Sequence, residues 1–365
     1  MRTTPTPAGA VLALALVLGA PAAPEALAAR APDEAWTLYE QGSLRRAASL
    51  CEKRLAANPS DAVANLVLAR VRIQQQQLDD AFKLANAAVA AAPNDPDAHF
   101  ALGAACGRKA QAASVLKAPG FAGKVKKAGE AALALDPNHA DALGLLVDFY
   151  QNAPGIMGGD KKKAKEYVDR LVSVDPAAGW AKRAGLAFSD KDTTLGGQCL
   201  AKAHELAPEN VRAMVSLASW LAQPWRDLPR AEKLAKQVVE KEPWRVGGWQ
   251  VLAGIYAYQE RWAELDDVLA RSQAVDATHL APWYTAGRTI VVMGKDAARA
   301  ERCLRHYLSR EPEFGSPTHA NARWRLGQAL EQQGKKDEAL AELQASVKAD
   351  PKNEDAKKDL KRLKG

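Results

Sequence analysis

A proline returns near-periodically along this chain, each time closing a run rich in alanine and leucine. The positions are Pro59, Pro93, Pro137, Pro176, Pro208, Pro243, Pro312 and Pro351. Successive gaps are 34, 44, 39, 32, 35, 69 and 39 residues, and the gap of 69 holds two units with Ala277 in the vacant slot. Proline lacks the N–H that a helix interior needs and its ring clashes with the preceding turn, so each one stops a helix. A period of roughly 34 residues predicts stacked helical hairpins, each touching only its neighbours, rather than one globular core. Composition agrees, because 47% of residues are hydrophobic but only 6% aromatic, which suits helices packed on small side chains.

Within each unit the first helix carries Leu followed by Gly or Ala, and the second carries Ala four residues before a second Ala or a large residue. The second unit has Leu68-Ala69 with Ala81 and Ala85, and the sixth has Leu217-Ala218 with Ala231 and Ala235. The eighth has Ala286-Gly287 with Ala300 and Leu304, and the ninth has Leu326-Gly327 with Ala339 and Leu343. Small residues at such crossings let helix axes approach to about 8 Å. These residues resemble the tetratricopeptide repeat over about residues 32–352, with loose first and fifth units. The resemblance implies an all-α, right-handed solenoid of about nine hairpins whose first helices line a concave groove. It implies no enzymatic activity. Beyond Pro351, only Ala356, Leu360 and Leu363 are apolar, so residues 353–365 are expected to form a one-sided helix that caps the stack.

Residues 1–28 have the layout of an export signal: Arg2, an apolar run from Ala8 to Ala20, then Ala-x-Ala options for cleavage after Ala22 or Ala28. The run is too short to span a bilayer. A periplasmic or secreted protein is expected, with no membrane insertion after signal removal. A net charge of +7 favours an acidic protein or peptide partner, and export argues against nucleic acid. Cys51, Cys106, Cys199 and Cys303 fall in units that are never adjacent, so they are expected as unpaired, buried hydrophobes.

The third unit is 44 residues long and the fourth 39. Their extra residues, 117–128 and 153–164, both run Ala-Pro-Gly, apolar, small, Gly, then lysines, and both are expected as loops between the two helices of a hairpin. Read as turns, Phe121 and Ile156 would tuck beneath them, with Asp160 capping the next helix. Read as an anion site, Lys124, Lys127, Lys161, Lys162 and Lys163 would gather beside the backbone N–H groups of Gly158 and Gly159. The repeat register places Arg70, Phe100, Arg212, Tyr258, Tyr284, Arg288 and Trp324 on the groove, joined by Asp148, Gln250 and Gln328. The Lys, Asn and Arg set that lets some tetratricopeptide repeats grip a peptide carboxylate is missing, since Asn65 with Arg70 stands isolated. The six histidines form no His-Glu-x-x-His and no other regular metal-ligand spacing, and no Gly-x-Ser-x-Gly occurs. The expectation is a non-enzymatic scaffold of the cell envelope with no cofactor, metal or catalytic residue, its oligomeric state open. The alternative is an anion-binding receptor or cryptic enzyme on the two lysine-bearing segments.

Overall fold

The computed structural model describes residues 33–365 apart from 115, 116 and 224, so the expected signal at residues 1–28 lies outside the described residues. Glu34–Gly365 form one compact unit, with nineteen α-helices and no strand among the described residues. They pair as hairpins: α1 (Glu34–Glu40) with α2 (Leu44–Ala57), α3 (Ala62–Gln74) with α4 (Leu78–Ala91), and α5 (Pro96–Ala112) with α6 (Ala118–Leu135). Next come α7 (Ala140–Asn152) with α8 (Lys161–Val174), α9 (Pro176–Ser189) with α10 (Thr193–Leu206), and α11 (Val211–Ala222) with α12 (Leu228–Lys241). The last three are α13 (Val246–Tyr258) with α14 (Trp262–Val275), α15 (Ala281–Met293) with α16 (Ala297–Leu308), and α17 (His319–Gln332) with α18 (Lys336–Ala349), followed by α19 (Glu354–Lys364). The architecture is an α-solenoid of nine hairpins.

Six of the periodic prolines follow directly on a helix C-cap. Asn58, Ala92, Asp136, Ala207, Glu242 and Asp350 each donate their N–H four residues back, and proline comes next. Pro176 differs. Asp175 both ends α8 and caps α9 through the Ala178 N–H, and Pro176 opens α9, where a missing N–H is harmless. Pro312 lies in the long link between α16 and α17. Residues 118–128, expected as a loop, are instead the opening turns of α6, because Pro119 falls in its first turn and is compatible with helix there.

One crossing recurs. A Cβ on Gly327 would meet Leu343 Cγ at 2.7 Å and the Ala339 carbonyl at 3.3 Å, and a Cβ on Gly287 would meet Leu304 Cγ at 2.7 Å and the Ala300 carbonyl at 3.3 Å. The small residue of the first helix thus seats against the Ala-x-x-x-Leu face of the second. Those alanines and leucines are fully buried. Ion pairs then join neighbouring units at about one period: Lys241–Glu209, Arg299–Asp266 at 2.6 Å and Lys335–Glu301 at 2.7 Å. All four cysteines are buried.

The solenoid curls until its first hairpin meets its seventh and eighth. The Arg45 backbone N–H donates to Glu313 Oε2 at 3.2 Å, and its guanidinium donates to the Pro312 carbonyl at 3.1 Å and lies 4.4 Å from the Phe314 ring centre. Phe314 packs on the core of the first hairpin. Ser43 Oγ donates to Asp276 at 3.2 Å, and Arg46 lies 3.8 Å from the same carboxylate. Glu311, 3.6 Å from Arg45, also faces His319 at 3.8 Å.

The two carboxyls of this clasp titrate in opposite senses. Burial pushes Glu313 above the usual carboxylate range, and its Oε1 is buried without a partner. Burial would also raise Asp276, but hydrogen bonds from Thr278, the neighbouring His279 and the Ser43 hydroxyl hold it below. Ionising Glu313 opposes closure, so closure weakens as pH rises through its raised pKa. The contribution of Asp276 is lost only as pH falls through its lowered one. The clasp is therefore tightest in mildly acidic solution.

Substitution and pH each test these contacts. Gly327→Leu should destabilise the protein by about 1–3 kcal/mol through overpacking. Gly185→Ala, where a Cβ meets nothing within 4 Å, should stabilise by about 0.5–1 kcal/mol. Denaturant midpoints that move the same way for both would contradict the nested crossing. Energy transfer between dyes at positions 53 and 309 should fall from about pH 5 to pH 8 as the clasp loosens, and should stay level in Glu313→Gln. An equal fall in the variant would remove Glu313 from the account.

Candidate functional site

The direction of curvature is readable from packing. Each first helix touches the next first helix along the array, whereas successive second helices stand farther apart. The array therefore bends toward α1, α3, α5 and their successors, which form its inner layer. Along this layer α9 meets α7 and α11 only lightly, and a cleft opens between α9 and α11.

Two cavities occupy this seam. One, of about 640 Å³, is bounded by Ala181, Ala184 and Gly185 of α9, Ser216 and Ser219 of α11, and Arg226 beyond. Phe188, Leu200 and Trp220 also line it. The other, of about 590 Å³, shares Ala181 and Ser216 with the first, so the two adjoin. It extends past Arg212 to Trp244 and Arg245, and is overhung by Thr37, Glu40 and Gln41 at the end of α1.

Local sequence explains the shape. Asp175 and Asn210 cap α9 and α11 through the N–H groups of Ala178 and Ala213, fixing both starts. The glycine pair of α10 makes room for the aromatic floor. A Cβ on Gly196 would fall 2.1 Å from Phe188, and one on Gly197 would fall 2.0 Å from Trp220. Arg226 lies 4.8 Å from the Trp220 ring centre and donates to the Trp220 carbonyl at 3.1 Å. Glu242 is held by Arg245, Glu209 by Lys241, and Asp175 is spent as a cap. Arg212, Arg226 and Glu40 line the seam with no ion pair among the described residues.

The expected groove residues divide into those that face the seam and those used internally. Arg212 is in the seam, and Arg288 is exposed on α15. Arg70 is buried. It pairs with Asp97 and lies 3.5 Å from Asp141, with its guanidinium 4.8 Å from the ring centres of Trp36 and Phe100, so it ties the first four hairpins together. Asn65 donates to the Pro59 and Asp61 carbonyls. Tyr258 stacks on Trp225 at 3.9 Å, and Tyr284 packs against Tyr307 at 5.3 Å. Asp148 pairs with Lys182. The Trp324 indole and the Gln328 amide both donate to Asp359 of α19 at 2.7 Å, so the last helix covers them.

The lysine-bearing segments do not make the expected anion cradle. The Gly158 N–H donates to Gly155, Gly159 to Pro154, and Asp160 to Tyr150, while the N–H groups of Lys162 and Lys163 are taken by the Asp160 carboxylate. No backbone donor of that set remains for a ligand. Gly158 has φ +92°, and a Cβ on Gly159 would collide with the Ala153 carbonyl at 1.7 Å, so turn geometry accounts for both glycines. Lys124 lies on α6 near the rings of Phe82 and Phe121, and Lys163 lies 5.6 Å from the Tyr150 ring centre. Lys127, Lys161 and Lys162 are solvated. Phe121 packs inward as expected, but Met157 does so in place of Ile156, which is 95% exposed.

Five of the six histidines are employed structurally, and His204 keeps a buried Nδ1 without a hydrogen-bond partner. His139 caps α7 and faces Asp97 at 3.6 Å, His279 meets Ser272, and His306 stacks on Trp283 at 4.0 Å. His99 and His319 bond the Pro93 and Arg310 carbonyls. Two features of the seam were missed in the sequence. Trp220 stood two residues beyond the Leu217-Ala218 motif, and Gly196-Gly197 marked the one second helix with a glycine pair among the described residues.

Comparison with known proteins matches residues 38–106 and 286–354 to models of the tetratricopeptide repeat. No curated protein matches the chain. Among solved structures, a thermophilic TPR protein of Thermus thermophilus is 22% identical, over 52% of this chain and 95% of its own, with a TM-score of 0.44. A tetratricopeptide repeat protein from Parabacteroides merdae is 16% identical over 71% of this chain and 98% of its own, with a TM-score of 0.45. Yeast Tom70 is 13% identical over 90% and 87%, with a TM-score of 0.47. These are likenesses of fold alone.

Proposed function

Taking as premise that this chain belongs to the tetratricopeptide-repeat proteins, we propose that it is a non-enzymatic scaffold of the cell envelope that holds a protein partner against its first helices. The repeat is an architecture of protein–protein interaction: a stack of hairpins presents one continuous curved surface, and specificity resides in the side chains along it. The observation that carries the reading is the seam between α9 and α11, an aromatic-floored cleft rimmed by arginines on the inner layer. Aromatic and arginine side chains in such positions are typical anchors of binding energy. The envelope assignment is supported by the charged start, apolar run and small-residue cleavage options of residues 1–28.

The anion-receptor alternative loses its support, because the backbone donors it needs are consumed within the turn.

The full chain, expressed in an exporting bacterium with a photo-crosslinking residue at position 212, 288 or 195, tests the reading. Positions 212 and 288 lie on first helices, and Leu195 is exposed on the second helix α10. Adducts of one defined mass should form from 212 and 288 but not from 195, on a mature chain beginning at Ala23 or Ala29. Adducts chiefly from 195 would contradict inner-face binding. A chain retained whole in the cytoplasm would contradict the envelope role.

A further inference from the structure

The seam has a chemistry narrower than a general groove. Its walls are small: Ala181, Ala184 and Gly185 face Ser216 and Ser219 across the cleft. Gly185 is exposed in mid-helix, where glycine costs about 0.5–1 kcal/mol relative to alanine, and nothing in the fold requires it, since a Cβ there meets no atom within 4 Å. Its effect is to keep the cleft open above Phe188 and Leu200.

Charge then selects the occupant. The lining of the Arg226 half contains no carboxylate. In the other half Glu209 is paired with Lys241, Glu242 with Arg245, and the Asp175 carboxylate is turned to the Ala178 N–H, which leaves Arg212 on the α11 side and Glu40 on the overhanging α1 without an ion pair among the described residues. Arg212 lies in the first turn of α11, and Arg226, beyond the last residue of α11, has its guanidinium at the Trp220 carbonyl, so at 1.5 Å per residue the helix between them sets a span on the order of 15 Å. An extended chain rises about 3.3 Å per residue, so five to six residues cover that span. The overhang of α1 suits an extended chain, about 5 Å from its neighbours in a sheet, better than a helix about 10–12 Å across with its side chains.

Resting on the inner-face reading above, we propose that the α9–α11 seam binds an extended, acidic-apolar segment of a partner protein, with one carboxylate at Arg212, a second at Arg226 five residues on, and an apolar side chain between them over Phe188, Leu200 and Trp220. Glu40 repels a guest carboxylate from the α1 side and so confines it to Arg212. Charge-assisted hydrogen bonds from arginine to carboxylate fix the ends. Burial of the apolar side chain supplies the sequence-tolerant part of the affinity.

The test uses the full chain and a defined probe, a dye-labelled hexapeptide amide Asp-Leu-Ala-Leu-Ala-Asp, read by anisotropy. Against it stands the same peptide with lysine at both ends. The aspartate peptide should bind, the lysine peptide should not, and Arg212→Ala and Arg226→Ala should each weaken binding by about tenfold. Gly185→Leu should abolish binding while leaving the thermal midpoint no lower, because its side chain enters open space. Equal binding of the two peptides, undiminished binding by Gly185→Leu, or indifference to both arginine substitutions would overturn the proposal. If the peptide fails while crosslinkers at 288 still capture a partner, the seam assignment falls and inner-face binding survives. If position 288 also captures nothing, both fall.

Discussion

The contact on which everything else rests is the seat of a glycine or alanine in one helix against an Ala-x-x-x-Leu face in the next. Gly287 and Gly327 show it with matching distances in successive hairpins. A single hairpin cannot bury its apolar face, so the fold depends on neighbours arriving at the same spacing each time. Ion pairs separated by about one period, such as Arg299–Asp266 and Lys335–Glu301, follow from that spacing and individually add little. Because first helices pack more closely on one another than second helices do, the same contact sets the bend and so creates an inner face.

Bending has a consequence at the ends. The first hairpin meets the link after α14 and the long link after α16, through Ser43, Arg45 and Phe314. This places the tip of α1 over the seam and gives the inner face a wall on its far side. A solenoid is ordinarily a sum of nearest-neighbour terms. Here the clasp adds a long-range term that couples hairpins far apart in sequence and depends on a half-buried carboxyl with one unsatisfied oxygen.

Much of this was legible in the sequence. Proline spacing gave the hairpins because a proline ends a helix whatever surrounds it, and Leu-Gly with Ala-x-x-x-Leu gave the crossing because only small residues fit there. What failed were inferences from local likeness. Residues 118–128 and 153–164 read alike, yet Pro119 lies inside the first turn of α6 while Pro154 precedes a short 3-10 turn at Gly155–Met157 and a left-handed Gly158. Arg70 and Trp324 lie on first helices, where the register put them, but neighbouring hairpins and α19 supply them with partners. The clasp was foreshadowed only by the interval of 39 residues between Pro312 and Pro351. Contacts between residues more than 230 apart leave no local trace. The repeat models match the two ends of the array and not its middle, where the irregular fifth hairpin and its Gly196-Gly197 pair form the seam.

Hydrogen exchange across the intact protein, alone and saturated with its captured cellular partner, bears most directly on the claim that recognition occurs on the inner layer at this seam. Slowed exchange should centre on α9, α11 and the residues around Arg226, with α10 and α12 changing little. Slowing confined to second helices, or spread evenly along the array, would contradict it.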